Sequence, residues 1–213
     1  MRKTFAVVTI ILFSSIYSFG QEVTVPNFND KYSEYVQKLE SGATNIDYKA
    51  FRFSFVESKQ FILAYEQSSI LDSLRRDMYD QMNKSDYQRI IKITKEMLSI
   101  DYTSLIAHKI LRQTYRIIGD SINAKKYKAI QFGLLRSITD NGNGKSCETA
   151  WQVIQIEEEY FMLNMIDAKL LKQSICNKKG CYDKLEVNTD EGNKTYYFET
   201  SKVFEGYNKI GLK

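Results

Sequence analysis

Few residues in this sequence break helices or carry out acid–base chemistry. Pro26 is the only proline among 213 residues, so no proline-rich linker divides the chain and one domain over residues 21–213 is expected. His108 is the only histidine, which excludes most zinc sites and most proton-transfer schemes. No serine lies in a nucleophile-elbow context, and no cysteine has a basic neighbour in sequence. The sequence therefore favours a non-catalytic role and predicts neither a metal nor a cofactor.

The N-terminus has the pattern of a cleavable signal peptide. Arg2 and Lys3 form a positive segment, an apolar run follows over residues 5–13, and Ser18 and Gly20 are small residues ahead of a cleavage point at Gln21. The apolar run is too short for a membrane span, which needs about 20 residues. The sequence thus predicts export to the periplasm or the medium, with residues 1–20 removed and no stable membrane anchor left.

Net charge gives no sign of a nucleic-acid partner. The whole chain carries +4, and removing residues 1–20 takes away Arg2 and Lys3 but no acid, which leaves +2. Proteins that read nucleic acids usually carry a concentrated basic footprint. We therefore expect another protein or a peptide as the partner, and no nucleic acid.

Three cysteines enter an oxidising compartment if the chain is exported. Cys176 and Cys181 flank a turn-like Asn-Lys-Lys-Gly segment, and a disulfide needs Cα atoms less than about 7 Å apart. The sequence leaves open both a bridge between these two residues and a pair of thiols.

The middle of the chain is strongly helical in pattern. Residues 70–138 contain four consecutive stretches with apolar residues three and four apart. Their breaks at 83–85, 100–102 and 119–120 are short enough to make neighbouring helices antiparallel. Two shorter helices are expected before them, one from Asp30 to Glu40 and one that begins after Asp47, although Phe51–Phe55 also alternates as a strand would.

A 34-residue period runs through these helices. Asp86 and Asp120 both begin a helix, and Leu111, Tyr115 and Ala124 stand at the spacing of a tetratricopeptide repeat. The stretch resembles that family in degenerate form. Its departures from the family pattern are Arg112, Lys128, Gln131 and Arg136.

The last third changes character. Apolar residues lie on all sides of a helix predicted from Ser146 to Gln173, which is typical of a central core helix. Alternating residues around Asp190–Asn193 then predict a β-hairpin over about 182–200. The predicted fold is mainly α, with antiparallel tetratricopeptide-like hairpins around a central apolar helix and a small C-terminal β-hairpin.

Two groups of charged residues are candidate sites. Glu158 falls on an apolar helix face and needs a cationic partner, either Arg52 or a lysine of the glycine loop 140–146. An acidic/arginine pocket near this loop is one hypothesis. An internal salt bridge is the competing interpretation of the same pair. The candidate ligand-binding residues are Arg52, Asp140, Gly142, Gly144, Glu148 and Glu158.

The second group lies on the first helix of each hairpin. In a tetratricopeptide arrangement some of these positions line a concave surface that suits an acidic peptide, although a solvated charged face is the favoured interpretation. The candidate protein-binding residues are Arg75, Lys109, Arg112 and Arg116.

Several short motifs carry a wider resemblance. They are Asp47-Tyr48 with Phe51-Arg52, Ala107-His108, Gly119-Asp120, Leu134-Leu-Arg-Ser-Ile138, Gly142-Asn-Gly144 before Glu148-Thr-Ala150, and Glu158-Glu159-Tyr160. On these residues the chain resembles a family of exported Gram-negative bacterial proteins, the domain of unknown function 4919. The resemblance implies no activity. The leading hypothesis is a non-catalytic interaction module; the alternatives are a small-ligand-binding protein or enzyme with the Arg52 and Glu158 pocket, and an exported protein without a dedicated site.

Overall fold

The computed structural model of the protein describes residues 22–176 and 182–212. Within those residues the chain is mainly helical and ends in a small sheet followed by a last helix. The helices are α1 Lys31–Glu40, α2 Tyr48–Glu57, α3 Lys59–Glu66, α4 Ser68–Lys84, α5 Tyr87–Ile100, α6 Leu105–Ile117, α7 Ser121–Thr139, α8 Ile156–Met165 and α9 Ser201–Lys209. The strands are β1 Trp151–Gln152, β2 Lys169–Cys176, β3 Tyr182–Thr189 and β4 Gly192–Glu199.

The four helices predicted in the middle of the chain are confirmed as α4 to α7. They form two hairpins, α4 with α5 and α6 with α7, and α5 packs against α6 to join them. The 34-residue period coincides with helix starts, since the carboxylates of Asp86 and Asp120 each accept a hydrogen bond from the backbone N–H three residues later. Gly119 takes the left-handed conformation with φ +81° after the end of α6.

Both shorter helices before the hairpins are also confirmed. Asp30 caps α1 and Asp47 caps α2, so Phe51–Phe55 is helical and does not form a strand. The two helices bring Tyr32 into stacking contact with Phe51, with ring centroids 5.6 Å apart. Helix α3 follows α2 after a single residue, Ser58, and sequence patterns did not reveal it.

The long helix predicted from Ser146 to Gln173 is wrong in its extent. A 3-10 turn at Cys147–Thr149 and strand β1 occupy its first part, and the helix itself, α8, has only ten residues. Asp167 adopts a left-handed conformation with φ +51° just beyond α8, and β2 then begins at Lys169. The sequence shows apolar residues on all sides of the predicted helix because this segment contains both a strand and a helix, β1 and α8. Both elements contribute to one core.

The predicted hairpin over 182–200 is confirmed as β3 and β4, and it belongs to a larger sheet. The strand order is β1-β4-β3-β2, with β1 parallel to β4 and the other pairs antiparallel. Gly192, with φ +96°, follows the turn and pairs with Thr189. Helix α9 comes after the sheet and packs on α2. Its Gly206 leaves room for the ring of Phe61 on α3.

His108 is a core residue. Its ring is fully buried, and its Nε2 lies 2.8 Å from the carbonyl oxygen of Tyr102, to which it donates. Burial lowers the pKa of His108 to about 4. The residue is therefore neutral at ordinary pH and holds α6 against the loop that precedes it.

Two predictions fall wholly or partly outside the described residues. The signal peptide at 1–20 lies before the described residues. Cys181 lies in the gap at 177–181, and the side chain of its proposed partner Cys176 is not described either. In the part of the chain that is described, no helix is long and apolar enough to cross a membrane.

Candidate functional site

Arg52 and Glu158 form a buried ion pair across 106 residues of sequence. Arg52 Nε donates to Glu158 Oε1 at 2.9 Å, and Arg52 Nη2 donates to Glu158 Oε2 at 2.5 Å. Arg52 is fully buried and Glu158 is 5% exposed. This two-bond arrangement matches the planar guanidinium to the carboxylate, so the partner that the sequence suggested for Glu158 is the one observed.

Further hydrogen bonds extend the pair to four elements. Arg52 on α2 also donates to Ser137 Oγ on α7 at 3.3 Å and to the carbonyl oxygen of Gln152 on β1 at 3.0 Å. Glu158 on α8 accepts from the backbone N–H of Ile154 at 2.8 Å. Because all three guanidinium nitrogens donate to protein groups, the geometry supports the internal salt bridge, and Arg52 is not presented to a ligand.

The glycine loop connects α7 to the sheet and is held to it by hydrogen bonds. The carbonyl oxygen of Gly142 accepts from Trp151 Nε1 at 3.1 Å, and that of Gly144 accepts from the N–H of Tyr197 at 2.8 Å. A Cβ on Gly142 would lie 2.1 Å from the carbonyl oxygen of Thr149. Both glycines therefore allow close backbone contact.

The two acids near this loop face solvent. Asp140 ends α7 and is exposed, and Glu148 in the 3-10 turn is exposed as well. A cavity of about 80 Å³ beside Glu158 is lined by Arg75, Asp101 and Phe161 among others, and by neither Asp140 nor Glu148. The structure thus brings Arg52 and Glu158 together, whereas the predicted pocket that combines them with Asp140 and Glu148 stays a prediction.

Glu159 is a buried acid that the sequence analysis did not single out. Its side chain is fully buried, and neither carboxylate oxygen has a hydrogen-bond partner among the described residues. Burial, with Asp183 and Glu158 nearby, raises the pKa of Glu159 to about 8. The only signal in the sequence was its place beside Glu158 in an apolar segment.

Helix α8 covers part of the surface predicted to bind a peptide. It packs against α6, and the ammonium of Lys109 lies 5.7 Å from the centre of the Phe161 ring. Arg75 pairs with Asp72 at 3.0 Å and lines the small cavity beside Phe161. These two predicted residues therefore face the chain's own helix.

Arg112 and Arg116 lie further along α6, in an open basic groove. The groove runs between α6 and α7 with a volume of about 390 Å³. Its lining residues are Arg112, Gln113, Arg116, Gly119, Ser121, Ala124, Lys125 and Lys128. Two of its four cations, Lys125 and Lys128, were missed because lysines three apart on a helix look like an ordinary solvated face.

Arg112 is the cation of this basic groove with the most unusual surroundings. Its guanidinium lies 5.6 Å from the centre of the Phe132 ring, and its buried Nε has no hydrogen-bond partner in the described part of the chain. Burial and the charge of Arg116 both lower the pKa of Arg112. The basic groove therefore holds mutually repelling cations and a donor without an acceptor, which is an arrangement that favours an anion.

The chain belongs to the family described as Domain of unknown function (DUF4919), whose model matches residues 22–209. This confirms the resemblance found in the sequence. Neither a curated protein nor a solved structure matches the chain.

We predict that removing one partner of the buried pair destabilises the protein strongly. Glu158→Ala leaves the Arg52 charge buried without compensation, and the free energy of unfolding should fall by about 3–5 kcal/mol in chemical denaturation. The double variant Arg52→Met/Glu158→Leu should lose less. The surface pair Arg89→Met/Asp77→Leu is the control and should change stability by less than about 1 kcal/mol. A loss below 1 kcal/mol for Glu158→Ala would contradict a structural role.

We also predict that stability falls as the pH rises through the upper titration range of Glu159. A carboxyl whose pKa is higher in the folded protein binds its proton more tightly there, so its stabilising effect is lost between the ordinary pKa of 4.5 and about 8. Below pH 6.5 the depressed pKa of His108 acts in the opposite direction, so the clean window is pH 6.5–8.

The measurement is the free energy of unfolding across that window. The wild type should lose about 1–2 kcal/mol between pH 6.5 and 8. Glu159→Gln and Glu159→Leu both lack the titrating group, and their profiles should be flatter by that amount. Parallel profiles for wild type and variants would show that Glu159 does not carry the effect.

Proposed function

We propose that the protein is an exported, non-catalytic interaction module that binds an acidic peptide segment of another protein. Export rests on the signal-peptide pattern at residues 1–20. Peptide binding rests on one observation above all: the basic groove is lined by four cations and, among its described lining residues, by no carboxylate.

The chemistry of the basic groove favours carboxylates. Arginine offers a planar set of donors that matches a carboxylate with two parallel hydrogen bonds, and Arg112 and Arg116 stand one helical turn apart on α6. An incoming carboxylate would offer acceptors to the guanidinium groups of Arg112 and Arg116 and would relieve the repulsion between them. A ligand with several acids in sequence satisfies both guanidinium groups and the two lysines at once.

The shape of the basic groove favours an extended peptide. Helices α6 and α7 form its two long walls, and a volume of about 390 Å³ accommodates a few side chains. A nucleic-acid duplex needs a much broader basic footprint. Exposed charge pairs each contribute about 0.2–1 kcal/mol, so we expect moderate affinity that falls as salt rises.

The alternative of a ligand pocket at Arg52 and Glu158 receives less support. All three nitrogens of the Arg52 guanidinium already donate to Glu158, Ser137 or Gln152. A binding role for these residues would require the buried pair to open.

The test is a titration of a fluorescently labelled acidic octapeptide, measured by anisotropy at low and at physiological salt. We expect binding that weakens with salt, and no comparable binding of a basic or a neutral octapeptide. Arg116→Glu/Lys128→Glu should weaken the affinity by at least about tenfold, because two contacts become repulsive.

The matched control is Arg76→Glu/Lys92→Glu, which makes the same change in net charge at exposed positions of α4 and α5. Its affinity should stay within about twofold of wild type, since neither residue lines the basic groove and exposed charges are screened by salt. Equal losses in the two double variants would mean that net charge alone attracts the peptide. Tighter binding of a single-stranded oligonucleotide in the same assay would replace the peptide as the partner.

A further inference from the structure

A third cavity, called the apolar cavity below, lies on different elements from the basic groove. It is about 280 Å³ in volume and lies between α3, the beginning of α8 and α9. Most of its wall is aromatic or aliphatic, and its lining side chains include Phe55, Phe61, Tyr65, Ile154 and Tyr207. Its size is at the lower end of pockets that hold small molecules, so it suits an occupant about as large as one aromatic amino acid.

The charged groups that line this apolar cavity are all negative. Asp101 and Glu157 belong to its lining, and its described lining residues include no lysine or arginine. Burial raises the pKa of Tyr207, and the charge of Glu157 adds to that effect. A low-dielectric cavity with carboxylates around it attracts a cation.

The nearby lysines of α9 are engaged elsewhere. Lys202 pairs with Glu205 at 2.6 Å and lies over the ring of Phe53. Lys209 donates to the carbonyl oxygen of Val56 at 3.0 Å. The negative field of the apolar cavity is therefore not neutralised by either of these side chains.

Asp101 is held in place for such an interaction. It is buried, with Oδ1 accepting from the N–H and the hydroxyl of Thr103 at 2.8 and 2.6 Å, and Oδ2 accepting from Gln155 Nε2 at 3.0 Å. Tyr65 and Tyr207 add electron-rich ring faces to the wall, and such faces attract ammonium groups.

We propose that the apolar cavity is a binding site for a small aromatic amine in its ammonium form. The aromatic body packs among Phe55, Phe61 and Ile154, and the ammonium lies toward Asp101 and Glu157 near the two tyrosine rings. The site is independent of the basic groove, so it stands or falls separately from the proposed function.

The probe is 2-phenylethylammonium, titrated into the full protein with amide chemical shifts as the readout. Shift changes should concentrate on α3, the start of α8 and α9. Two isosteric probes, 2-phenylethanol and phenylacetate, lack the positive charge and should bind at least about fivefold more weakly. Nα-acetyl-lysine amide carries its ε-ammonium on a flexible side chain. If it binds as tightly as 2-phenylethylammonium, the site takes lysine side chains and the small-amine proposal is wrong.

Two pairs of variants locate the site. Ser68 is exposed and lines the cavity, whereas its exposed neighbour Ser69 does not; Ser68→Trp should therefore abolish binding, and Ser69→Trp should leave it unchanged. Glu157→Gln should weaken binding of the ammonium by about two- to fivefold and leave 2-phenylethanol unaffected, with Glu191→Gln on the distant β-turn as the charge-matched control. Equal binding of all three isosteric probes, or of both Trp variants, would overturn the proposal.

Discussion

The ion pair between Arg52 and Glu158 is the constraint on which the arrangement of the chain depends. A buried guanidinium must keep its partners, because the cost of leaving either charge uncompensated in the interior is several kcal/mol. Arg52 satisfies that requirement with groups from α7, β1 and α8. The pair thereby links the helical N-terminal part to β1 and α8 of the C-terminal part.

The position of α8 decides which surface remains for partners. Two tetratricopeptide-like hairpins are fewer than such repeats usually need to stand alone, and here α8 packs against α6 and covers part of the hairpin surface. Lys109 and Arg75 therefore contact the region around Phe161. The far end of α6, with Arg112 and Arg116, stays open toward α7 and forms the basic groove.

The helices were predictable because their signals are local. Asp30, Asp47, Asp86 and Asp120 each sit one residue before an amphipathic stretch, and each caps a helix through its side chain. Glu158 was identified as a buried acid for a similar reason, since a charge on an apolar face needs a partner. The pairing with Arg52 needed only one more inference, which the structure confirms.

The errors have non-local causes. Trp151 is buried because β1 pairs with β4, where Phe198 stands opposite it, and no short pattern around Trp151 contains that information. Helix α8 ends at Met165, and the residue with positive φ just beyond it is Asp167 and not a glycine, so the usual glycine signal was absent. Lys125 and Lys128 contribute to the basic groove because α7 packs beside Arg112 on α6. The pKa of Glu159 is raised by burial and partly by Asp183, which β3 brings near it.

Native-state hydrogen exchange tests most directly whether the buried pair unites the two parts of the molecule. If it does, amides in α7, in α8 and at the β4 end near Phe198 should exchange with one common opening free energy, close to that of global unfolding. Replacing Glu158 with alanine should lower that value in all three elements together. If the sheet instead opens at a much lower free energy than α7 in the wild type, the pair does not unite them and the account is contradicted.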